Sequence, residues 1–485
     1  MTDRSLGRIP RDGRTGLMAL RTAAEYREGL RDGRTVWYRG KQVDDVTAFG
    51  EFDEAIAHSS LAYSISEVHP DLAVADDGDG PYTAFYRLPR TSSDITDRGR
   101  LIETLSRMGA GTIVLKEVGS DALFALRRAL SGAALEKAEA FYEQCCANDV
   151  ALAVAQTDVK GDRSLAPHQQ PNPDHYLRIV DEDADSITVS GAKVHTSFSA
   201  NADEIIVLPT RAMSAADADW AVSFAIPVAT EGLSLYVSPY LHGTRNGFEH
   251  PISSRHKLLE SLTVFDNVRV PKERVFLNRE PELAGPLALA FVDYHRFTAV
   301  NYKLPILDLL VGSAIKVAEA NGIARAGHVK TKITELVTYA ETVRGCAELA
   351  ALRARSGGND VALPDPLAVN MAKFHFAHGF HAATATVLDL AGGLVATGPG
   401  GEDWDDPATR AVLEKYFAAA APAEERLRLI HLIGDLATGP WGGYQSVLAT
   451  HAEGSLEAEK MQIARAYDST RARGAVDEVL AASRG

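Results

Sequence analysis

The sequence predicts an α+β fold laid out as helices, then an antiparallel β-barrel or sandwich, then a helical bundle. Three observations carry this reading. Both ends of the chain hold apolar residues at helical spacing among Ala, Leu and Glu. The middle holds short β-branched and aromatic runs separated by turn residues. The composition, 46% hydrophobic and 24% charged over 485 residues, supports a real core. We expect three units: a mainly helical domain over 1–150, a β-barrel domain over 151–285 and a helical bundle over 286–485.

The elements follow in order. Residues 1–18 are polar and rich in Gly and Arg, and disorder is expected there. Residues 21–30 and 121–148 read as helix, and residues 35–46 as a small hairpin around Arg39-Gly40. Residues 176–180, 186–190, 204–208, 220–226, 233–237 and 262–265 read as strands. The stretch 266–271 should lead back into helix. Helices are then expected over 287–321, 329–356, 367–390, 407–417, 423–436 and 455–467, with breaks at Gly322, Gly357-Gly358, Gly392-Gly393 and 398–401.

Several functional classes are excluded. A net charge of −15 repels phosphate backbones, so no nucleic-acid partner is expected. No apolar run approaches the ~18 residues of a membrane helix, and no apolar leader follows the start. Three cysteines, two of them adjacent (Cys145 and Cys146), make no disulfide framework and suit a reducing cytoplasm. Cys145 and Cys146 read as packed helix interior. There is no GxGxxG after a strand and no GxxxxGK[ST], which argues against a Rossmann or P-loop nucleotide site. His375, His378 and His381 drift around a helix at spacings of three and are not expected to share a metal.

Two polar clusters stand out. The first is Gln156-Thr-Asp-Val-Lys-Gly-Asp-Arg-Ser164, followed by Pro167-His-Gln-Gln170. Thr157, Lys160, Arg163 and Ser164 can donate to a phosphate or a carbonyl, and Gly161 allows close backbone approach. The plain alternative is a solvated connecting loop. The second is Gly191-Ala-Lys-Val-His-Thr-Ser197, where Thr196 and Ser197 close a strand; its alternative is an ordinary strand end.

Together these two clusters resemble the flavin-binding stretch of the 4-hydroxyphenylacetate 3-monooxygenase and 4-hydroxybutyryl-CoA dehydratase flavoprotein family. Arg34-Thr-Val-Trp-Tyr-Arg-Gly-Lys41, Phe265-Asp-Asn-Val-Arg-Val-Pro-Lys-Glu-Arg-Val275 and Ala391-Gly-Gly-Leu-Val-Ala-Thr397 also resemble that family. The resemblance covers residues 21–471. It implies an acyl-CoA dehydrogenase-like fold and a homotetramer, with FAD between barrel and bundle and a neighbouring subunit completing the site. Thr157, Lys160, Asp162, Arg163, Ser164, Thr196 and Ser197 would line FAD, with His328, Lys330, Gly392, Gly393 and Thr397 approaching from the bundle. His295 matches the family's active-site histidine and Glu260 an active-site glutamate of the dehydratase branch, so these two are the expected catalytic residues. Read from the residues alone, His295 is equally a core histidine and Glu260 a turn glutamate.

The chain departs from both branches. The dehydratases hold a four-iron cluster with one histidine and three cysteines. The matching positions here are His295, Tyr302, Ile113 and Glu117, and no cluster is expected without thiolates. The monooxygenases read a phenol with Arg, Tyr and His, which match Val118, Ala122 and Val154. The resemblance therefore implies an FAD-dependent oxidoreductase. A two-component monooxygenase would use reduced FAD from a separate reductase, and O2, on a small aromatic or acyl-CoA substrate. The alternative is redox-neutral acyl-CoA isomerisation of the vinylacetyl-CoA type.

Overall fold

The structure, a computed structural model, describes residues 20–78, 80–240, 243 and 245–483. The disorder expected over 1–18 lies outside them. Helices Ala23–Gly29, Asp53–Val68, Ser92–Met108, Glu117–Ala129 and Gly132–Asn148 form the first layer. The helix expected over 121–148 is in fact two. The first stops at Leu130, whose backbone is extended, and the second begins beyond Ser131.

The middle of the chain supplies two sheets. One has six strands in the order Lys41–Val43, Thr35–Tyr38, Leu233–Val237, Glu260–Pro271, Ser186–Ser197, Arg178–Glu182. The other has four: Val275–Asn278, Val222–Pro227, Glu204–Val207, Leu152–Ala155. An isolated bridge from Asp158, just beyond strand Leu152–Ala155, to Lys193 within Ser186–Ser197 connects the two systems. The pairing is not purely antiparallel. Thr35–Tyr38 runs parallel to Leu233–Val237, and Leu152–Ala155 parallel to Glu204–Val207. The N-terminal hairpin thus extends the larger sheet.

The strands outrun the expected ones. Ser186–Ser197 and Glu260–Pro271 are each 12 residues long and pair across nearly their whole length. Residues 266–271 therefore belong to a strand and do not lead into helix. A register shift between Phe265 and Val268, with Asn267 at φ 51°, masks the alternation there.

The C-terminal half is a bundle whose spine is the 40-residue helix Pro281–Ala320. Pro305 lies inside it and removes one backbone donor. Burial of Leu304, Ile306 and Leu307 holds that turn in place. The first half of this helix, through Leu287, Phe291 and Tyr294, joins the core shared by the N-terminal helices and the sheets. Its second half, from Val300, enters the bundle core with Gly327–Leu352 and Pro366–Ala391. One helix thus touches both cores and carries residues at their junction. A small hairpin, Arg355–Gly358 with Val361–Leu363, ends the helix expected to reach 356, and Pro440–His451 and Thr470–Ala482 are helices with no counterpart in the expectation. Cys145 and Cys146 are buried in Gly132–Asn148, and burial pushes the Cys146 thiol up to about 12.

Candidate functional site

The strand Ser186–Ser197 ends where the sheets meet the bundle. His195 adopts φ 57°, a left-handed conformation uncommon for a non-glycine residue, and its ring is exposed. Thr196, next in line, is fully buried, and its Oγ1 has no hydrogen-bond partner within the chain. A buried hydroxyl left unpaired costs about 1–3 kcal/mol, a cost that a bound polar ligand relieves. Ser197 pairs with Glu260 across the ladder, and its Oγ donates to the Glu260 carboxylate at 2.9 and 3.0 Å.

The bundle answers from the other side. Tyr444, on helix Pro440–His451, donates its hydroxyl to Glu260 Oε1. Its ring stacks on Tyr240 at 4.4 Å and 19°. The Tyr240 hydroxyl accepts from Leu258 N at 3.2 Å. Burial raises the Glu260 carboxyl above its ordinary range, while Tyr444, Ser197 and the charge of His195 pull it back.

His295 sits mid-spine. Its Nδ1 meets Asp121 Oδ2 at 3.1 Å, and its ring stacks on Phe291 at 4.9 Å. Asp121 is completely buried and also accepts from Arg98 at 2.6 Å and from Thr298 Oγ1 at 2.7 Å. Two turns on, Tyr302 donates to Glu453 Oε1 at 2.5 Å. Lys303 donates to Glu453 Oε2 at 2.5 Å, and Lys373 lies 3.8 Å away. Burial opposes ionisation of Glu453, but Lys303, Lys373 and the field of His295 outweigh it and hold the carboxyl at about 2. Burial pushes the Tyr302 phenol well up, reinforced by the charges of Glu453, Glu117 and Glu260. His295, Glu453, Tyr302, Glu260 and Tyr444 therefore form one electrostatically coupled group along the seam.

The loop after strand Leu152–Ala155 is tied to the same wall. Val194 N donates to the Thr157 carbonyl at 2.8 Å. Buried Lys193 donates to Asp158 Oδ1 at 2.8 Å and to the carbonyls of Gln156 and Leu208 at 3.0 Å. Lys160 takes φ 76°, and burial followed by the cations Arg163, Lys193 and Arg211 lowers its ammonium, against Asp158. Asp162, Arg163 and Ser164 are exposed, and Asp162 Oδ1 accepts from Ser164 N and Oγ at 2.9 and 2.7 Å. The structure thus brings Thr157 and Lys160 beside the strand that bears Thr196, whereas 162–164 curl back on themselves.

His328 and Lys330 are exposed on the first turn of Gly327–Leu352. Gly392, Gly393 and Thr397 are exposed near the end of Pro366–Ala391. Among the described residues, no hydrogen bond or ion pair joins these five to Thr196, Glu260 or His295. His375, His378 and His381 each lie against an aromatic ring of the bundle.

Sequence reasoning missed Asp121, Tyr444, Tyr240 and Glu453. Within 117–126, Glu117 and Ser120 precede Asp121, so no pattern there sets that aspartate apart.

A family model described as 4-hydroxyphenylacetate 3-hydroxylase N terminal matches residues 22–277, and its C-terminal counterpart matches 284–481. The chain belongs to the 4-hydroxyphenylacetate 3-hydroxylase family. Within that family it is 35% identical over 333 residues to the 4-hydroxybutyryl-CoA dehydratase/vinylacetyl-CoA-Delta-isomerase of Clostridium aminobutyricum, covering 66% of this chain and 68% of the relative. It is 26% identical over 438 residues to the 4-hydroxyphenylacetate 3-monooxygenase oxygenase component of Thermus thermophilus, covering 88% and 90%. The solved archaeal 4-hydroxybutyryl-CoA dehydratase of N. maritimus superposes with a TM-score of 0.88 at 26% identity, over 96% of this chain and 95% of that one. The oxygenase component of 4-hydroxyphenylacetate 3-monooxygenase complexed with FAD gives 0.89 at 24% identity over 96% and 99%, a likeness of fold.

Proposed function

We propose that this family member is an FAD-dependent oxidoreductase, the oxygenase component of a two-component monooxygenase acting on a small aromatic or acyl substrate. The observation that carries the reading is the unpaired, fully buried Thr196 hydroxyl beside the Glu260–Tyr444 contact at the seam. Thr196, Ser197, Thr157 and Lys160 fit the polar edge of a flavin, which needs donors and acceptors on a mostly apolar wall. When bound in reduced form, FAD supplies the electrons that activate O2. The chain's own groups do the rest. Thr196 and Lys160 fix the orientation, Glu260 holds or moves a proton, and apolar Val118, Ala122 and Val154 keep water from the substrate end. Asp162, Arg163, Ser164, His328, Lys330, Gly392, Gly393 and Thr397 would contribute from the loop rim or from another subunit. A homotetramer is favoured by Val476, Val479 and Leu480, which are 58%, 69% and 51% exposed on Thr470–Ala482. A closed barrel over 151–285, the division into three units and a cytoplasmic setting belong to the same reading. So does a separate flavin reductase.

The cluster-matching positions do not fit iron and sulfide. Glu117 is buried and bonded to Ser106 Oγ and Val114 N, and Tyr302 to Glu453. Oxygen uptake with reduced FAD and a phenol should give hydroxylated product. The identity to the dehydratase/isomerase, and the Glu260 shared with that branch, favour a second reading: vinylacetyl-CoA converted to crotonyl-CoA without reductant. Turnover of that thioester with no oxygen uptake would replace the first reading.

A further inference from the structure

We propose that Asp121 and His295 form a base pair in which His295 Nε2 receives a substrate hydroxyl and Asp121 is the positioning residue. The inference rests on the flavin reading above and adds to it the pole at which a phenol is bound.

Asp121 Oδ2 can only accept, so His295 Nδ1 carries the proton at 3.1 Å, and the neutral ring's Nε2 is left as the acceptor. No hydrogen bond to Nε2 is formed among the described residues, and the side chain keeps 16% of its surface. The ring cannot easily turn, because Phe291 stacks on it nearly in plane, at 19°. Asp121 is itself held from two other sides by Arg98 and Thr298. This is a nucleophile-activating or base-activating geometry, with an acceptor nitrogen, a bonded carboxylate behind it and a third group fixing the carboxylate.

Nearby residues leave this pair as the polar choice for a hydroxyl. Val118 and Ala122, on the same helix as Asp121, and Val154 on the adjoining strand offer neither donor nor acceptor. Tyr302, Lys303 and Lys373 are already engaged with Glu453 or Glu459. In the step proposed, the substrate O–H bond breaks and an Nε2–H bond forms. The electron pair stays on oxygen, leaving an electron-rich phenolate beside an imidazolium paired with Asp121. The charged groups facing the ring are Asp121 from Glu117–Ala129, Arg98 from Ser92–Met108 and Glu453 from the turn beyond Pro440–His451. Glu117 stands behind Asp121, coupled to it and to Arg98.

The test uses 4-nitrophenol, whose phenolate absorbs at longer wavelength than its phenol. The full chain is titrated with it at a pH below the ligand's own pKa, with and without oxidised FAD. On the native protein the phenolate band should appear on binding. Asp121→Asn and His295→Gln should each cut that band at least tenfold while binding FAD as tightly as the native chain. If Asp121→Asn does not fold, His295→Gln, on a half-buried ring, decides alone. Native protein on which the ligand stays phenol, or FAD-competent variants with an undiminished band, would overturn the pair. A chain that shows the band without FAD and never binds FAD would keep the pair and remove the flavin reading.

Discussion

At the residue scale, the site works through unlike groups that correct one another's ionisation. Glu260 is raised by burial, and the Tyr444 and Ser197 hydroxyls bring it back by bonding to the charged form. Removing one donor with Tyr444→Phe should raise the carboxyl further, so the ionised form needs more alkaline solution. The acid limb of the pH–rate profile should move to higher pH, with kcat at neutral pH falling about tenfold, as expected for loss of one charge-assisted bond. A second residue-scale effect lies outside the site. His58 Nδ1 and His256 Nδ1 are 3.2 Å apart, and His58 Nε2 donates to the Ile113 carbonyl at 2.8 Å. Burial holds the rings at about 4 and about 3, below the ordinary 6.5. The unfolded chain therefore binds more protons, and the stability present above pH 6.5 is lost as pH falls from 6.5 toward 4. Thermal melts should show that loss, on the order of 3–5 kcal/mol for each ring over its full shift. His256→Asn should remove that ring's share and leave the share of His58, which its own burial sets. Glu260 and His295 were singled out in the sequence by the family resemblance, helped by the leucines around Glu260 and the apolar helix around His295. Nothing in the sequence singled out Asp121 or Tyr444, and only folding brings them to partners 174 and 184 residues away.

At the element scale, helices and strands place these groups by close approach of backbone to backbone. A Cβ on Gly119 would lie 2.4 Å from Leu152 Cβ and 3.0 Å from the Leu152 carbonyl. Gly119→Ala gains about 1 kcal/mol of helix propensity but overpacks a helix–strand contact at a cost of about 1–3 kcal/mol. The net expectation is a lower Tm. The turn at Glu453, φ 57°, performs the matching task for the C-terminal helices. Its carboxylate ties Tyr302 and Lys303 of the spine to Lys373 of Pro366–Ala391. Glu453→Gln leaves buried Lys303 without its carboxylate partner, while Lys373 keeps Glu459 at 3.2 Å, and should cost about 3–5 kcal/mol in denaturant unfolding. Helical periodicity located most helices to within a few residues. It missed Pro440–His451, whose Pro-Trp-Gly-Gly opening reads as a turn, although it is the helix that delivers Tyr444. Strand reading stopped short in Glu260–Pro271 because the register shift at Asn267 interrupts the alternation of inward and outward residues.

At the scale of the whole molecule, a long helix joins two cores, and the polar groups along it face the ends of the two longest strands. The succession of helical, strand and again helical periodicity was legible in the sequence. What was not legible is how the segments interlock. The N-terminal hairpin completes a sheet of the middle segment, and a helix from residue 281 onward finishes the first core. The polar loop 157–164 likewise reads as one cluster in sequence but divides in space, with Thr157 and Lys160 toward the wall and 162–164 outward. His328, Lys330, Gly392, Gly393 and Thr397 are exposed on the single chain, and the proposal that they reach the flavin rests on the proposed tetramer. Under the tetramer proposal, light scattering should give four chains, and dilution to monomer should weaken flavin binding.

The most direct test of the account is an FAD titration of the full-length protein followed by visible difference absorbance, run beside Thr196→Val. The account predicts a saturable, perturbed flavin spectrum with about one FAD per chain, and a roughly tenfold weaker affinity once the buried hydroxyl is removed. Identical curves for the two proteins, or a native chain that leaves the flavin spectrum unchanged, would contradict it.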